Sequence, residues 1–375
     1  MIEYLFLILG AFYFLLFIFF FSGILSIKNQ KAEVNNWQPK VSVLVPARDE
    51  AYTITKTLRG LQNQTYPSEK LEIIIIDDHS NDNTAEVISQ FIQDNQLNHF
   101  QLLSHRTDGK TSTYKKAAIA HALKHATGEI IMTTDADCMV QPQWVESMIE
   151  QYDENTGMVA GLISFSPDLE KSFFNKLQTL EFAGVVFAGV GAVGIKFPLI
   201  CNGSNLSYRR QSFEDVDGFS GHDHLPSGDD DLLMQNIHKK TSWKIKYNLE
   251  NQSINYTYPV NDLKRFLNQR SRWASKGVHY PGHSISLTLL MIYLFYASIF
   301  MLTPLTFMGL FSISILVLGL LLKLIPEFLI VNQALHILNR RDLVPFFFIA
   351  EFFQIPYVVI VGFRGFFNLF RWKNG

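Results

Sequence analysis

Residues 41–50 read VSVLVPARDE, an apolar and β-branched run that ends at a proline followed by charged residues. A short run of this kind predicts a buried β-strand. Four similar runs follow along the chain, and helical patterns lie between several of them. The runs are LEIIIID (71–77), FQLLS (100–104), EIIMTTD (129–135) and MVAGLIS (158–164), and the helical patterns cover 51–63, 82–94 and 114–126. This alternation predicts an α/β domain with a largely parallel sheet covered by helices.

Polar clusters follow three of these strands: PARDE (46–50), DDHSNDNT (77–84) and DADC (135–138). In open α/β sheets, ligands bind beyond the carboxyl ends of the strands. Helix capping would explain a single cluster, but three at one edge favour a shared site. Asp135 and Asp137 suit a hard divalent cation that bridges a diphosphate, with Mg²⁺ or Mn²⁺ as the expected ion. Lys110 offers a positive charge to the same phosphates.

Three adjacent aspartates, Asp229 to Asp231, occur in SGDDDLLM (227–234) before a predicted helix. Adjacent like charges are costly unless a cation or a shifted pKa relieves them. One of these aspartates is therefore a candidate general base. His222 and His224 have a spacing that zinc sites use, but no cysteine lies nearby, and a role in a loop or beside the acceptor is favoured.

The segment LKRFLNQRSRW (263–273) predicts a basic amphipathic helix at a membrane surface. We expect Lys264, Arg265 and Arg270 to lie at that interface. Arg272 is a candidate cation for a diphosphate, and Trp273 offers a flat face on which a sugar can stack.

Charged and apolar residues are segregated along the 375 residues of the chain. Only 18% of all residues are charged, below the roughly 25% of ordinary soluble domains, and residues 284–322 carry no charge at all. The high apolar content and the net charge of −2 exclude a disordered chain and give no electrostatic case for nucleic acid as a partner. Two cysteines, Cys138 and Cys201, exclude a disulfide framework.

Residues 4–27 predict a transmembrane helix, because the apolar run is long enough to span a bilayer and no basic residue precedes it as in a cleaved signal peptide. The lysines that follow the run favour a cytoplasmic location for the next segment. Residues 284–322 predict a hairpin of two spans that turns near Pro304 or Gly309. Residues 343–363 are a further candidate span, which the basic residues on either side favour as re-entrant or interfacial. The expected domains are an anchor (1–30), a catalytic domain (38–280) and a membrane region (284–375).

In their order along the chain, the segments VSVLVPARDE, DDHSNDNT, GK, DAD, SGDDDLL and QxxRW resemble the family 2 glycosyltransferases with a GT-A catalytic domain. The resemblance covers residues 38–280. The membrane-embedded members are the most similar in pattern, because they share QxxRW and flanking transmembrane helices. They include cellulose, chitin, hyaluronan and poly-N-acetylglucosamine synthases and ceramide glucosyltransferase. The resemblance implies a GT-A domain with a mainly parallel mixed sheet, flanked by transmembrane helices.

The resemblance also implies site residues. The implied nucleotide-sugar pocket consists of Pro46, Ala47, Glu50, Asp77, Asp78, Lys110 and Asp135, with Asp77 and Asp78 contacting uridine. Asp137 would bind the metal ion together with Asp135. The catalytic base aligns with Asp230, or with Asp229 if the motif is registered on Leu232. Gln269, Arg272 and Trp273 would close over the diphosphate and the acceptor. His79 departs from the glycine that many members have at this position.

The implied activity is inverting transfer of a sugar from a nucleoside diphosphate sugar, with a UDP-sugar expected, to a lipid-linked or saccharide acceptor. The implied location is the cytoplasmic face of the cell membrane, in a multi-pass protein that makes cell-envelope glycans or glycolipids. A processive polysaccharide synthase and a non-catalytic, membrane-anchored nucleotide-sugar-binding protein remain as alternatives. A dehydrogenase is disfavoured because no GxGxxG follows the first strand. A transporter is disfavoured because Glu327 and Glu351 lie in no repeat or ion-pathway pattern.

Overall fold

The computed structural model describes residues 1–29, 36–106, 115–221, 228–278, 280 and 283–370. The chain forms two compact units. The helical unit comprises Met1–Ser26, Pro167–Phe197 and Pro259–Gly375, and the sheet unit comprises Ile27–Ser166 and Pro198–Tyr258. The domain bounds expected from the sequence stay a prediction.

All strands belong to the sheet unit. They are β1 (Val41–Ala47), β2 (Leu71–Asp78), β3 (Phe100–His105), β4 (Ile130–Thr133), β5 (Thr156–Gly161), β6 (Ile163–Phe165), β7 (Leu206–Arg209), β8 (Lys244–Asn248) and β9 (Asn255–Thr257). The α-helices of the described residues, in order, are α1 (Ile2–Lys28), α2 (Ile54–Gln62), α3 (Thr84–Asp94), α4 (Lys115–Leu123), α5 (Trp144–Ile149), α6 (Phe173–Gly194), α7 (Arg210–Glu214), α8 (Asp231–Lys240), α9 (Leu263–Ala274), α10 (His283–Phe307), α11 (Ile313–Ile337) and α12 (Phe347–Phe366).

The sheet unit is built on a seven-stranded sheet in the order β3-β2-β1-β4-β7-β5-β8. β1 is parallel to β2 and β4, β2 is parallel to β3, and β5 is parallel to β8. β7 runs antiparallel to both β4 and β5. The prediction of a mainly parallel mixed sheet in an α/β domain is confirmed.

Strand β1 lies in the centre of the core of this unit. Val41, Val43 and Val45 are fully buried and share one apolar cluster with residues of β2, α2 and α5. The register of β1 with β2 places Ala47 opposite Asp77. Because the two strands are parallel, the polar residues that follow them come to the same edge of the sheet.

The single strand predicted at 158–164 is instead two strands, β5 in the large sheet and β6 paired with β9. The side chain of Asn205 explains the break between them. Its Nδ2 donates a hydrogen bond to the Leu162 carbonyl oxygen at 2.6 Å. A Cβ at Gly161 would lie 2.4 Å from Asn205 Oδ1, so glycine is required for this approach.

Among the described residues, five apolar segments are long enough to cross a membrane: α1, α6, α10, α11 and Arg341–Phe366, which includes α12. The predicted span 4–27 lies within α1. The hairpin predicted for 284–322 corresponds to α10 and the first part of α11, which continues to Ile337. The chain turns at Gly309, which has a φ of 73°, whereas Pro304 lies inside α10. The last segment forms one continuous helix of 20 residues, α12. These segments indicate association with a membrane.

Helix α6 is an apolar helix that the sequence analysis does not identify. The chain enters it after β5 and β6 and returns to β7, which pairs with β5. Residues 195–205, which lead back to β7, contain no helix.

Glycines bring α1 and α6 into backbone contact within the helical unit. A Cβ at Gly191 would lie 2.2 Å from the Phe20 carbonyl oxygen, and a Cβ at Gly194 would lie 2.2 Å from that of Gly23. A side chain at either position would overlap the other helix. Small residues of this kind are typical of close helix packing in membrane proteins.

Candidate active site

The polar residues after β1 and β2 form one hydrogen-bonded edge. The Asn81 amide donates to Asp49 Oδ1 at 2.7 Å, and the Glu50 amide donates to Thr84 Oγ1 at 2.9 Å. Glu50 also accepts a hydrogen bond from Thr53 Oγ1 on its Oε2 at 2.6 Å, at the start of α2. Pro46 and Ala47 end β1 directly before this loop. The first two polar clusters predicted at one edge therefore meet there.

Asp77 and Asp78 are buried at the end of β2 and have basic partners. Asp77 Oδ2 pairs with Arg106 Nη2 at 2.6 Å. Asp78 Oδ1 contacts Nδ1 of both His79 and His105, at 2.8 and 2.9 Å. His105 is the last residue of β3, and Arg106 follows it. The pairing of β3 with β2 places His105 opposite Asp78.

His79 keeps a backbone conformation that suits glycine. Its φ is 59°, in the left-handed region that costs a non-glycine residue about 1–2 kcal/mol. His79 therefore holds a backbone conformation that glycine adopts without strain. Its imidazole contacts Asp78.

The DAD segment follows β4 and brings three possible ligand atoms together. One atom each of Asp135, Asp137 and Cys138 lies within 4.8 Å of the others. Burial raises the pKa of the Cys138 thiol, and the carboxylates of Asp137 and Asp135 raise it further. The thiol therefore stays protonated and lies 3.8 Å from Asp137 Oδ1. The two carboxylates remain as hard oxygen donors, a set that fits Mg²⁺ or Mn²⁺ better than zinc.

Lys115, the first residue of α4, links this segment to the aspartates before α8. Its Nζ lies 2.6 Å from Asp135 Oδ1 and 3.1 Å from Asp229 Oδ2. Burial alone would lower the pKa of Lys115, but the two carboxylates raise it above its usual value. Lys115 is therefore a fixed positive charge between two motifs that are far apart in the sequence.

Asp230 is the N-cap of α8. Its Oδ1 accepts a hydrogen bond from the Asp231 amide at 2.8 Å, and its Oδ2 accepts one from the Gly203 amide at 3.2 Å. Gly203 also lies against Asp229, since a Cβ at this glycine would be 2.8 Å from Asp229 Oδ2. Asp231 is buried inside the helix start. Asp229 and Asp230 thus both lie against Gly203.

Lys115 is a site residue that the sequence pattern does not reveal. The segment GKTSTYKKAA (109–118) contains three lysines, and the GK motif of the resemblance implies Lys110. Lys110 lies outside the described residues, as do His222 and His224. The helical pattern at 114–126 does mark the start of α4, where Lys115 lies, but the identity of its two carboxylate partners depends on long-range contacts.

The QxxRW residues lie on α9 in the helical unit. Gln269 Oε1 accepts a hydrogen bond from Arg270 Nη1 at 2.7 Å. The Trp273 ring packs against Phe182, with 5.7 Å between the ring centroids, and Arg272 is half-buried. The prediction that Arg270 lies at a membrane interface is wrong, because its side chain is only 3% exposed and pairs with Glu181. Lys264 and Arg265 are exposed, and their interfacial role stays a prediction.

Comparisons with known proteins identify the same regions. A family model described as glycosyl transferase family 2 matches residues 42–217, and one described as glycosyl transferase family group 2 matches residues 130–349. The chain is similar to a probable glycosyltransferase, YdaM, of Bacillus subtilis (strain 168), with 27% identity over 63% of this chain and 54% of that protein. It is also similar to a poly-β-1,6-N-acetyl-D-glucosamine synthase of Staphylococcus epidermidis, with 26% identity over 68% of this chain and 58% of that protein.

The chain thus spans little more than half the length of these relatives. Among solved structures, it resembles the mannosyltransferase PcManGT from Pyrobaculum calidifontis in complex with GDP-Man and Mn²⁺. The TM-score is 0.59 at 17% identity, and the match covers 98% of this chain and 99% of that one. At this identity the likeness shows a shared GT-A fold. Since the second family model covers more than half of its residues, the chain belongs to the family 2 glycosyltransferases.

Proposed function

We propose that this protein transfers a sugar, with inversion, from a UDP-sugar to a hydroxyl group of a lipid-linked or saccharide acceptor at the cytoplasmic face of the membrane. The observation that supports this most strongly is the Lys115 bridge between Asp135 and Asp229. It brings the carboxylates that suit a diphosphate-bound cation next to the aspartates that suit a general base.

In this proposal, the donor binds along the edge formed after β1, β2 and β4. Asp77 and Asp78 contact the uracil, beside Pro46, Ala47 and Glu50, and Asp135 contacts the ribose or the sugar. Asp137, with Asp135, would hold Mg²⁺ or Mn²⁺. A bound divalent cation supplies positive charge that stabilises the departing diphosphate. Lys115, which pairs with Asp135, adds a second and permanent positive charge. Arg272 is the candidate for a third charge that offsets the diphosphate. Lys110 keeps its predicted role near the nucleotide.

The chemical step needs a base for the acceptor hydroxyl. Asp230 takes that proton while the hydroxyl oxygen bonds to the anomeric carbon, and the bond from this carbon to the diphosphate oxygen breaks on the opposite face. We assign the base to Asp230 because it aligns with the base of the family motif, while Asp229 is the ion-pair partner of Lys115.

Loss of the base should affect turnover much more than donor binding. Asp230→Asn should lower transfer by about 100-fold or more, as expected for a lost general base, with donor affinity changed by less than about 3-fold. Asp229→Asn tests the alternative alignment of the motif, in which Asp229 is the base. Asp94→Asn, an exposed change at the end of α3, is the matched control. If both Asp230→Asn and Asp229→Asn retain normal transfer, the assignment of the base is wrong.

The donor and the acceptor can be tested in the same preparation. The full chain in lipid vesicles is incubated with UDP-N-acetylglucosamine, UDP-glucose or GDP-mannose and with Mg²⁺ or Mn²⁺, and nucleotide release and product mass are measured. UDP-N-acetylglucosamine is the first donor to test, because one relative is a poly-β-1,6-N-acetyl-D-glucosamine synthase. A single glycolipid product supports the proposal, whereas a polymer ladder supports a processive synthase. Binding of a nucleotide sugar without release of nucleotide would support a non-catalytic protein.

A further inference from the structure

Arg270, the second residue of QRSRW (269–273), is a buried charge with a carboxylate partner on another helix. Its Nε lies 3.1 Å from both carboxylate oxygens of Glu181 on α6, and its Nη2 lies 2.5 Å from Glu181 Oε2. The Arg270 side chain is 3% exposed and that of Glu181 is 8% exposed. Tyr357 Oη on α12 donates to Glu181 Oε1 at 2.6 Å. Three helices of the helical unit therefore meet at this guanidinium.

Besides the rings of Phe266 and Phe182, the guanidinium contacts two residues of the same QxxRW motif. Its central carbon lies 4.2 Å from the centre of the Trp273 ring system, close enough for a cation–π contact. Its Nη1 donates to Gln269 Oε1 at 2.7 Å. A guanidinium can only donate hydrogen bonds, so the amide of Gln269 must turn its oxygen toward Arg270. The NH₂ group of Gln269 is then directed away from Arg270 as a donor.

A buried ion pair is a weak source of stability, because the cost of removing both charges from water offsets their attraction. Such a pair does fix the direction of the groups it contacts. The planar fork of arginine holds a carboxylate, an amide oxygen and an aromatic face at the same time, which lysine cannot do. The arrangement around Arg270 is therefore suited to orienting side chains.

We propose that Arg270, held by Glu181, is a positioning residue for sugar transfer: it fixes the orientation of the Gln269 amide and holds the Trp273 ring in place. This inference rests on the proposed function, because Gln269 and Trp273 matter only if they contact the donor or the acceptor. Arg270 itself does not touch the substrate.

The test compares kinetics of the full chain in lipid vesicles. Arg270→Met should lower kcat by about 10- to 100-fold, as expected when a reacting group loses its alignment, with the donor KM changed by less than about 3-fold. Arg270→Lys should not restore the rate. The double variant Arg270→Met/Glu181→Met replaces the pair by apolar side chains, so it should fold as well as the wild type and remain as slow as Arg270→Met. Arg265→Met, an exposed change on the same helix, is the control and should keep the wild-type rate.

Two readouts distinguish positioning from a general structural effect. If Arg270 acts through Gln269, then Arg270→Met should lower kcat by a much smaller factor in a Gln269→Ala background than in the wild type. The part of its effect that depends on Gln269 is already lost in that background. In protein labelled with fluorotryptophan, the ¹⁹F resonance of Trp273, assigned with Trp273→Phe, should shift in Arg270→Met but not in Arg265→Met. A fully additive loss of rate, or an unmoved Trp273 resonance, would overturn the inference. A wild-type protein that transfers no sugar from any donor would instead overturn the proposed function, and this inference with it.

Discussion

Lys115 is the residue on which the geometry of the candidate site depends most. It is the only positive charge placed directly between Asp135 and Asp229 among the ion pairs of the described residues. Without it, these two carboxylates would face each other across a partly desolvated space, and like charges in such a space repel strongly. We therefore expect Lys115 both to hold the two motifs together and to offset charge on the diphosphate.

Replacement of Lys115 should reduce turnover strongly. Lys115→Met removes a charge that is oriented before the donor binds, and a loss of this kind costs about 100-fold in rate. Lys124→Met, an exposed change just after α4, should have no effect. The measurement is kcat and donor affinity for both variants. Equal activity of Lys115→Met and wild type would mean that the bridge has no part in catalysis.

Some residues of the candidate site can be predicted from the sequence, but the partners of others cannot. Asp77, Asp135 and Asp230 could be selected from the sequence because each lies near the end of a strand or directly before a helix. Lys115 and Arg270 could not be given their partners, because Asp229 and Glu181 lie about 90 or more positions away and the contacts depend on the tertiary fold. The basic pattern of 263–270 suggested exposure for Arg270, but a carboxylate from α6 neutralises it inside the protein.

At the scale of elements, the glycines of α6 offer a matched pair of substitutions. A Cβ at Gly191 would lie 2.2 Å from a backbone oxygen of α1, whereas a Cβ at Gly184 would meet only a methyl group of Val331, at 3.5 Å. Alanine is favoured over glycine in a helix by about 1 kcal/mol, and this gain is the same at both sites. The difference between the two variants therefore measures the close approach of α1 and α6 alone.

We expect Gly191→Ala to lower the stability of the helical unit and Gly184→Ala to keep or raise it. Overpacking against a backbone that cannot move aside costs about 1–3 kcal/mol, more than the gain in helix propensity. Thermal unfolding in detergent, followed by circular dichroism, compares the two proteins. Equal midpoints for the two variants would contradict the close packing of α1 and α6.

The apolar helices α10, α11 and α12, together with α1, enclose a polar cluster. Lys323 Nζ pairs with Glu327 at 3.0 Å and with Glu351, and it donates to Gln354 Oε1 at 2.8 Å. Both tyrosine hydroxyls at positions 13 and 296 donate to Glu327 Oε1. Both oxygens of Glu327 thus accept hydrogen bonds, which suits a carboxylate. Lys323 thus faces two carboxylates, Glu327 and Glu351, in one buried site.

Substitutions of Lys323 and of Glu351 should differ in their effect on stability, because the cluster has one ammonium and two carboxylates. Lys323→Met leaves a buried carboxylate without its cation and should destabilise the protein by roughly 3–5 kcal/mol. Glu351→Gln imitates a neutral acid and should change stability by less than about 1 kcal/mol. Denaturation of both variants in detergent provides the comparison. A loss in Glu351→Gln as large as that in Lys323→Met would show that Glu351 is needed as a charge.

At the scale of the whole molecule, the sequence predicted the α/β class, the strand ends that form the site and the apolar termini. Those features are encoded locally, by short apolar runs and by the residues that follow them. The loop and strand expected from NGSNLSYRR (202–210) and VDGF (216–219) include β7, but its antiparallel pairing and the apolar helix α6 are not predicted. β7 is a four-residue strand without a distinct pattern, and the share of α6 that is buried inside the protein is larger than for the other apolar helices.

The central claim is that this family 2 glycosyltransferase inverts the configuration at the anomeric carbon while an aspartate of the 229–230 pair removes the acceptor proton. The most direct measurement is ¹H NMR of the new glycosidic linkage in product made from an α-linked UDP-sugar by the full chain in lipid vesicles. Inversion gives a β-linkage in this product, and we expect Asp230→Asn to form none on the same timescale. An α-linked product would contradict this claim.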